Sequence, residues 1–425
     1  MTKINIPFTS RRYYLTAQID QTAIVHNCLL IKELLPKSCR LCVSVKCDAY
    51  GHGAEAVLPA IRAAEVDFLC VAAIHEARRL RELYWQGPVL LLGSELSSYQ
   101  GSQKIDFARW LITNEIRITV TNREDLSILS KVAQGLSLPA PVHLKLDTGM
   151  SRMGLDESGI EELIDLIQKD KNIYLEGLYT HLATADEADK SFCRHQLSRL
   201  KAFVDKLKII GLHIPIIHAA NSGAAIDLIE SHFNMIRCGI SIYGCHSSPH
   251  MLNRPNLKPV LKLVSSLTLV KNIPAGSRVG YGCTFEAPRD MTIGIVPIGY
   301  GDGYDRRLSN RGKMTIDGKL VSVLGRVSMD QVVLDLTQLT QKGVDVFPGR
   351  EVTIIDNNPN TPNSVESLAG LLDTVPHEIV TRLGNRIQRI PVSLDKSIPS
   401  FPKHVPQMRK VFRKTIMRHR LAPQS

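Results

Sequence analysis

The sequence predicts an α/β chain: a (β/α)8 barrel of the TIM type followed by a mainly β C-terminal domain. Three observations carry that reading. The chain has 425 residues, too many for one ordinary core, which favours two domains. Eight short apolar runs, most of them separated by segments of helical period, fill about 220 residues. Beyond position 261 the rhythm changes to frequent strands and dense turn residues.

Residues 1–12 show no pattern. Residues 13–19 read as a strand, and 21–35 as an amphipathic helix with Ile24, Asn27, Cys28, Ile31 and Leu35 on or near one face. The eight apolar runs are 41–45, 68–72, 89–92, 116–120, 142–146, 175–179, 214–218 and 235–240. Helical periodicity follows near Ala54 and at 75–84, 123–132, 157–168 and 190–209. A doubly wound open sheet is the competing fold, and the count of eight strands favours the barrel. Later strands are expected at 264–270, 292–297, 313–316, 321–324, 332–336 and 351–355, with a short helix at 364–372. The chain divides into an N-terminal strand (1–20), the barrel (21–258), the β domain (259–393) and a basic, disordered tail (394–425), within which 409–420 can form a basic helix.

Composition narrows the class. Hydrophobic residues make up 44% and charged residues 22%, the balance of a globular protein. No apolar run approaches a membrane span, and residues 1–14 lack the apolar core of a signal peptide, so a cytoplasmic protein without a membrane partner is expected. The net charge of +11 is concentrated at the end: eight Lys or Arg and no acid lie from Lys396 onward, leaving +3 for the body. No nucleic-acid groove is therefore expected in the body. Cys42, Cys70 and Cys238 sit in apolar runs, and nine cysteines in all read as reduced thiols. Cys39 and Cys42 have the spacing of a metal or redox pair but no second pair follows, so no metal is expected.

The chemistry collects at strand ends. The run 41–45 stops at Lys46, followed by Tyr50, Gly51 and Gly53. Such a lysine can snorkel to water. Alternatively it is held partly out of water, where a free amine attacks a carbonyl and forms a Schiff base. In a barrel the C-terminal strand ends carry the reactive groups. Those ends present Lys46 and Tyr50, Lys145 and Arg152, His181, Asn221 and Ser222, then Arg237, Gly239 and Ile240. A lysine, a histidine, a serine beside a helix start and an arginine form the inventory of a phosphorylated aldehyde cofactor. Lys46 would form the Schiff base, Ser222 with the amide of Gly239 or Ile240 would hold a phosphate, and Arg237 would face a ring nitrogen. That cofactor would be pyridoxal 5'-phosphate.

The stretch Val-Lys-Cys-Asp-Ala-Tyr-Gly-His-Gly at 45–53 resembles the cofactor-lysine signature of alanine racemases. The likeness continues through Lys-Leu-Asp-Thr-Gly-Met-Ser-Arg-Met-Gly (145–154), Gly-Leu-Tyr-Thr-His (177–181), Ala-Asn-Ser-Gly (220–223) and Arg-Cys-Gly-Ile-Ser-Ile-Tyr-Gly (237–244). It reaches the β domain in Val-Gly-Tyr-Gly (279–282), Pro-Ile-Gly-Tyr-Gly-Asp-Gly (297–303) and Gly-Arg-Val-Ser-Met-Asp-Gln (325–331). Roughly residues 13–392 are covered, in the family's order.

The resemblance implies a barrel and β domain with the N-terminal strand packed against the latter, in a homodimer with shared active sites. It implies interconversion of L- and D-alanine, supplying D-alanine for peptidoglycan. Inverting a stereocentre this way needs a base on each face of the substrate. By motif these are Lys46 and the partner subunit's Tyr281. A free phenol has a pKa about 10, so such a base needs help, and His181 with Arg237 behind it matches the helping pair. Arg237, permanently cationic, would disfavour protonation of the cofactor ring. Tyr50, Arg152, Asn221, Ser222, Gly239, Ile240 and His377 match cofactor contacts. Arg152, the backbone of Met329 and Tyr300 match substrate contacts, with Arg306 at the entrance. Lys145 matches a lysine that carries a carbamate in the family.

The chain departs from the family at His377, where a tyrosine is usual on the phosphate, at Ser328, where cysteine is common, at Cys47, where alanine is common, and in its tail. A histidine at the phosphate lends cofactor affinity a pH dependence. His52 and His218 read as structural, and Asp302 and Asp305 as turn and ion-pair residues. The alternative within this chemistry is a racemase of another small amino acid such as serine, or one of broad specificity. The basic amino-acid decarboxylases share the cofactor, but the Tyr-Gly-His-Gly and Val-Gly-Tyr-Gly motifs argue against them. A non-catalytic regulator acting through its tail would leave Tyr281 dispensable.

Overall fold

Strands of a parallel sheet are covered on both faces, so their sequences run continuously apolar. Eight such runs close into a barrel. They are β2 (Arg40–Ser44), β3 (Phe68–Val71), β4 (Val89–Leu91), β5 (Ile116–Val120), β6 (Ala140–Lys145), β7 (Ile173–Tyr179), β8 (Ile216–His218) and β9 (Met235–Cys238). The last strand returns to the first, with Arg40 opposite Met235 and Val43 opposite Cys238. The barrel predicted from sequence is thus the observed fold. A computed structural model describes residues 15–392. The irregular start at 1–12 and the tail with its helix at 409–420 lie outside the described residues.

Helices α1 (Gln21–Glu33), α2 (Ala54–Ala63), α3 (Ile74–Glu82), α4 (Gly101–Thr113), α5 (Arg123–Leu136), α6 (Glu157–Gln168), α7 (Ser191–Ile209) and α8 (Ser222–Asp227) accompany the strands. Asp20, Asn122, Asp156 and Asn221 start four of them by accepting an otherwise unpaired backbone N–H. Helix α4 has no counterpart in the expected pattern. Its buried face is Lys104, Ala108, Leu111 and Ile112, so a lysine occupies a core-facing position. Lys104 is admitted there because it pairs with Asp125 and Glu124, each at 2.7 Å.

A nine-stranded sheet forms the second body. Its strands include β1 (Leu15–Asp20), β10 (Leu261–Ser266) and β11 (Leu269–Ile273). After the small ribbon β12 (Arg278–Val279) and β13 (Phe285–Glu286) come β14 (Met291–Val296), β15 (Lys313–Ile316), β16 (Lys319–Leu324), β17 (Val332–Asp335), β18 (Glu351–Ile355) and β19 (Gln388–Val392). Helices α9 (Thr337–Gln341), α10 (Val365–Leu372) and α11 (Pro376–Thr381) complete it. β1 pairs antiparallel with β10 and parallel with β19. The single strand expected at 264–270 is two: the chain breaks at Leu267 and Thr268, whose amides bond Arg350 and Ile295 carbonyls, so β10 joins β18 while β11 joins β14.

The barrel interior is not uniformly apolar. Cys42, Phe68, Cys70, Leu90, Ile216 and Met235 make one apolar cluster inside it. Arg117, Thr119, His143, Glu176, His218 and Arg237, all buried, lie on β5 to β9 of the same barrel.

Candidate active site

The turn after β2 is the most strained part of the described chain. Cys47, Asp48, Ala49 and Tyr50 all have positive φ, between 51° and 57°. A left-handed residue with a side chain costs roughly 1–2 kcal/mol, so four in succession need compensation. Left-handed helical bonds supply part of it, from Ala49 N–H to the Val45 carbonyl and Gly51 N–H to the Cys47 carbonyl, both 2.9 Å. Glu76 on α3 accepts from Cys47 N–H at 2.6 Å, and Asp48 accepts from Ala54 N–H at 2.8 Å. The expected glycine turn is therefore a left-handed coil that ends on glycine, and it holds Lys46 at the barrel mouth.

Lys46 lines a cavity of about 590 Å³, within the size range of small-molecule sites. Tyr50, Lys145, Arg152, His181, Asn221, Ser222, Arg237, Gly239 and His377 line it too. Ile240 is fully buried and does not line it. Two other cavities, about 620 and 960 Å³, contain none of the candidate catalytic, cofactor or substrate residues. Four cationic side chains face one carboxylate, Asp186, across this space. Such a lining suits a ligand with several negative charges. Among the described residues Lys46 forms no hydrogen bond or ion pair, and its Nζ lies 5.8 Å from the centre of the Tyr50 ring.

Arg237 is held on several sides. It donates to His218 Nδ1 at 2.8 Å, His181 Nδ1 at 3.1 Å and the carbonyls of Thr180 and Ala219 at 3.0 Å. Tyr179 stacks on His218 with ring centres 4.6 Å apart, and the Arg237 guanidinium lies 5.2 Å above Tyr179. Burial first, then the Arg237 charge, holds His181 and His218 well below the ordinary imidazole range. Burial, aided by Arg237 and Arg152, lowers the Lys145 ammonium to about 8.

At the other end Asn221 caps α8, and the hydroxyl of Ser222 accepts from Gly239 N–H at 2.9 Å. Gly239 must lack a side chain, because a Cβ there would sit 2.3 Å from the Tyr50 hydroxyl. His377 enters this end from α11 of the β domain, its ring 5.9 Å from that of Tyr50. No group among the described residues hydrogen-bonds the His377 ring. Burial, then the Lys46 charge, lowers it to about 4.

Tyr281, Met329 and Tyr300 are elsewhere. They are 72%, 54% and 44% exposed, on adjoining turns of the β domain, and none lines the cavity. Tyr300 N–H bonds the Ser328 carbonyl and Gly301 N–H the Met329 carbonyl, while Gly282 lies against the Arg326 guanidinium. Arg306 is exposed. Asp302 and Asp305 are ion-paired turn residues, with Arg386 at 2.9 Å and Arg382 at 2.6 Å.

Sequence reasoning missed Glu76, His143, Glu176 and Arg117, and it left His218 as structural although that ring bonds Arg237. The available signal was a polar residue at alternate positions of an apolar strand, as in Ile-Arg-Ile-Thr-Val at 116–120. All nine cysteines are unpaired. Among the described residues no cluster suits a metal, and no helix is long and apolar enough to cross a membrane.

Comparison with known proteins agrees with this arrangement. Residues 19–247 match the family model of the alanine racemase N-terminal domain, and 260–391 that of the C-terminal domain. The alanine racemase of a Nostoc species is 34% identical over 377 residues, covering 88% of this chain and 95% of the relative. That of Methanococcus maripaludis is 36% identical over 376 residues, covering 88% and 97%. The solved alanine racemase of Clostridium difficile superposes with a TM-score of 0.82 at 32% identity, covering 91% of this chain and 97% of that one. A Bartonella henselae alanine racemase with covalently bound pyridoxal phosphate gives 0.76 at 28% identity, covering 89% and 99%. The chain belongs to the alanine racemase family and is an isomerase of that kind.

Proposed function

We propose that the chain racemises alanine with pyridoxal 5'-phosphate, using Lys46 and the partner subunit's Tyr281 as the two bases, and so provides D-alanine for peptidoglycan. The observation that carries the reading is the cavity lining: an unpaired lysine and three further cations against one carboxylate, with a serine, a glycine amide and an unpartnered histidine at one end. That set fits a phosphorylated aldehyde. Lys46 would hold its aldehyde carbon; Ser222, the Gly239–Ile240 backbone and His377 its phosphate; Arg237 its ring nitrogen; and Arg152 its phenolic oxygen. The chemistry the group supplies when bound is an electron sink that acidifies the α C–H of an attached amino acid.

The chain's own residues divide the remaining work. Arg237 can only donate, so His181 Nδ1 accepts and the ring keeps its proton on Nε2. A neutral His181 with a donor at Nε2 stabilises the phenolate form of the partner subunit's Tyr281, the form a base requires. The Lys46 amine serves the opposite face. Arg152 and the backbone of Met329 would bind the substrate carboxylate, and Tyr300 would narrow the approach. Lys145, lowered to about 8, has a fraction of neutral amine at neutral pH. That amine can add carbon dioxide with loss of a proton, and the carbamate's charge would offset Arg152.

The test is incubation with L-alanine in deuterated water, following α-deuteration and D-alanine together. Both are expected, with deuterium entering the inverted product. Deuteration without inversion would remove one of the two bases.

A further inference from the structure

Arg237 meets no carboxylate of the described residues directly. Its nearest route to one runs through the barrel interior. His218 Nδ1 accepts from Arg237 at 2.8 Å, so the proton of His218 sits on Nε2. That Nε2 lies 2.9 Å from His143 Nδ1, which must then accept. The proton of His143 is consequently on Nε2, 3.2 Å from Glu176 Oε2. Glu176 ends the series in a two-pronged pair with Arg117, at 2.9 and 3.3 Å. Every donor points the same way, from β9 through β8 and β6 to β7, and Arg117 closes it near the start of β5.

The fold makes room for this series at a cost. All five side chains are buried in the barrel. A Cβ at Gly177 would lie 2.3 Å from His143 Nδ1, so the glycine between Glu176 and Leu178 is what lets the imidazole sit there. Buried polar groups are tolerated only when each is satisfied, and here each satisfies the next in one order.

We propose that His218, His143, Glu176 and Arg117 form a positioning series for Arg237, holding its guanidinium at the cofactor ring as a fixed donor to which no proton is delivered. The proposal rests on the reading of Arg237 as the ring-nitrogen partner. Both imidazoles hold their only proton toward the carboxylate, so neither can pass one to Arg237 without turning over. Removing the carboxylate's charge frees His143 to turn, and Arg237 then loses the acceptor behind it.

The first measurement is nitrogen-15 NMR of the imidazoles in the full-length, cofactor-free chain. His143 and His218 are expected as Nε2–H tautomers that do not titrate across the neutral range. A proton on Nδ1 of either ring would overturn the series, and this reading needs no variant. The second is Glu176→Gln in the cofactor-loaded enzyme, with Gly177→Ala as a separate push on His143 that alters no charge. Each is expected to shift the visible absorption of the bound cofactor and to lower kcat about tenfold, the scale usual when a group supporting a site residue is lost, with KM for alanine nearly unchanged. Unchanged absorption and kcat in both folded variants would overturn the proposal. Arg237→Lys separates it from the reading beneath it. Unaltered cofactor absorption there, with the Nε2–H tautomers in place, would remove Arg237 from the ring and the purpose of the series with it.

Discussion

Inside the barrel mouth, Arg237 is 5% exposed and donates to two imidazoles and two carbonyls, whereas Tyr281 on the β domain is 72% exposed and forms no hydrogen bond among the described residues. Each belongs to a motif of the family resemblance, at 237–244 and 279–282. A buried guanidinium must have its partners within the chain, because desolvation without them is prohibitive. An exposed phenol owes nothing to its own fold. Where Tyr281, Met329 and Tyr300 share one rim, the exposed groups have the character of an interface core. Under the proposed reading, one part of the site is complete in a single chain while the other would come from a second copy.

The strongest test of that contrast is complementation. Lys46→Ala and Tyr281→Phe are each expected to lower racemisation by about 10²–10⁴ or more, the scale of a lost acid–base group. Mixed dimers of the two variants would contain one site with both native bases, and activity is expected to return on subunit exchange. No recovery, with mixed dimers verified by mass, would mean that each chain works with its own tyrosine or without it. A sharper asymmetry follows within the variants. Lys46→Ala is also expected to lose the cofactor's absorption near the visible, whereas Tyr281→Phe keeps it, since Lys46 and not Tyr281 would hold the cofactor.

A middle-sized effect concerns His377, which reaches the cavity from the β domain of the same chain. Held at about 4 by burial and Lys46, it is neutral in the cofactor-free protein near neutrality. A phosphate arriving beside it favours the cation, so binding takes up a proton and weakens as pH rises. His377→Tyr is expected to flatten that dependence and to change cofactor affinity by about tenfold or less, about 1.4 kcal/mol. Proton uptake on titration with cofactor, measured by calorimetry in two buffers, checks it; equal uptake in the variant would count against His377.

A separate effect, independent of the cofactor, is on stability. His52 and His377 are both lowered to about 4, by burial first in each. Above pH about 6.5 neither folded nor unfolded chain protonates them, so they leave stability unchanged. As pH falls below that value the unfolded chain takes up protons that the fold refuses, and stability declines until about pH 4. Each contributes a slope approaching about 1.4 kcal/mol per pH unit. Denaturant midpoints should fall between neutral pH and the carboxylate range, and a flat profile there would contradict the buried, neutral assignment.

Much of the fold was legible because local periodicity carries it: the apolar runs of the barrel and the capped helices α1, α5 and α6 each advertise themselves within a dozen residues. Helix α4 did not, because Lys104 breaks its apolar face and only Asp125, twenty-one positions on, explains the lysine. The left-handed turn at Cys47–Tyr50 did not either. Side-chain-bearing residues with positive φ have no compositional mark, and Glu76, the acid that holds the turn, comes from a later helix.

The barrel and the list of reactive strand ends were therefore available from the chain alone, since each depends on neighbours in sequence, whereas the strand order of the β-domain sheet was not. Which reactive ends share a cavity, which imidazole nitrogen carries its proton, and why Gly177 is a glycine depended on residues dozens of positions apart. Hydrogen-bond polarity is a property of contacts rather than of residue types. Only the closed barrel, which brings β9, β8, β6, β7 and β5 around one interior, imposes those contacts.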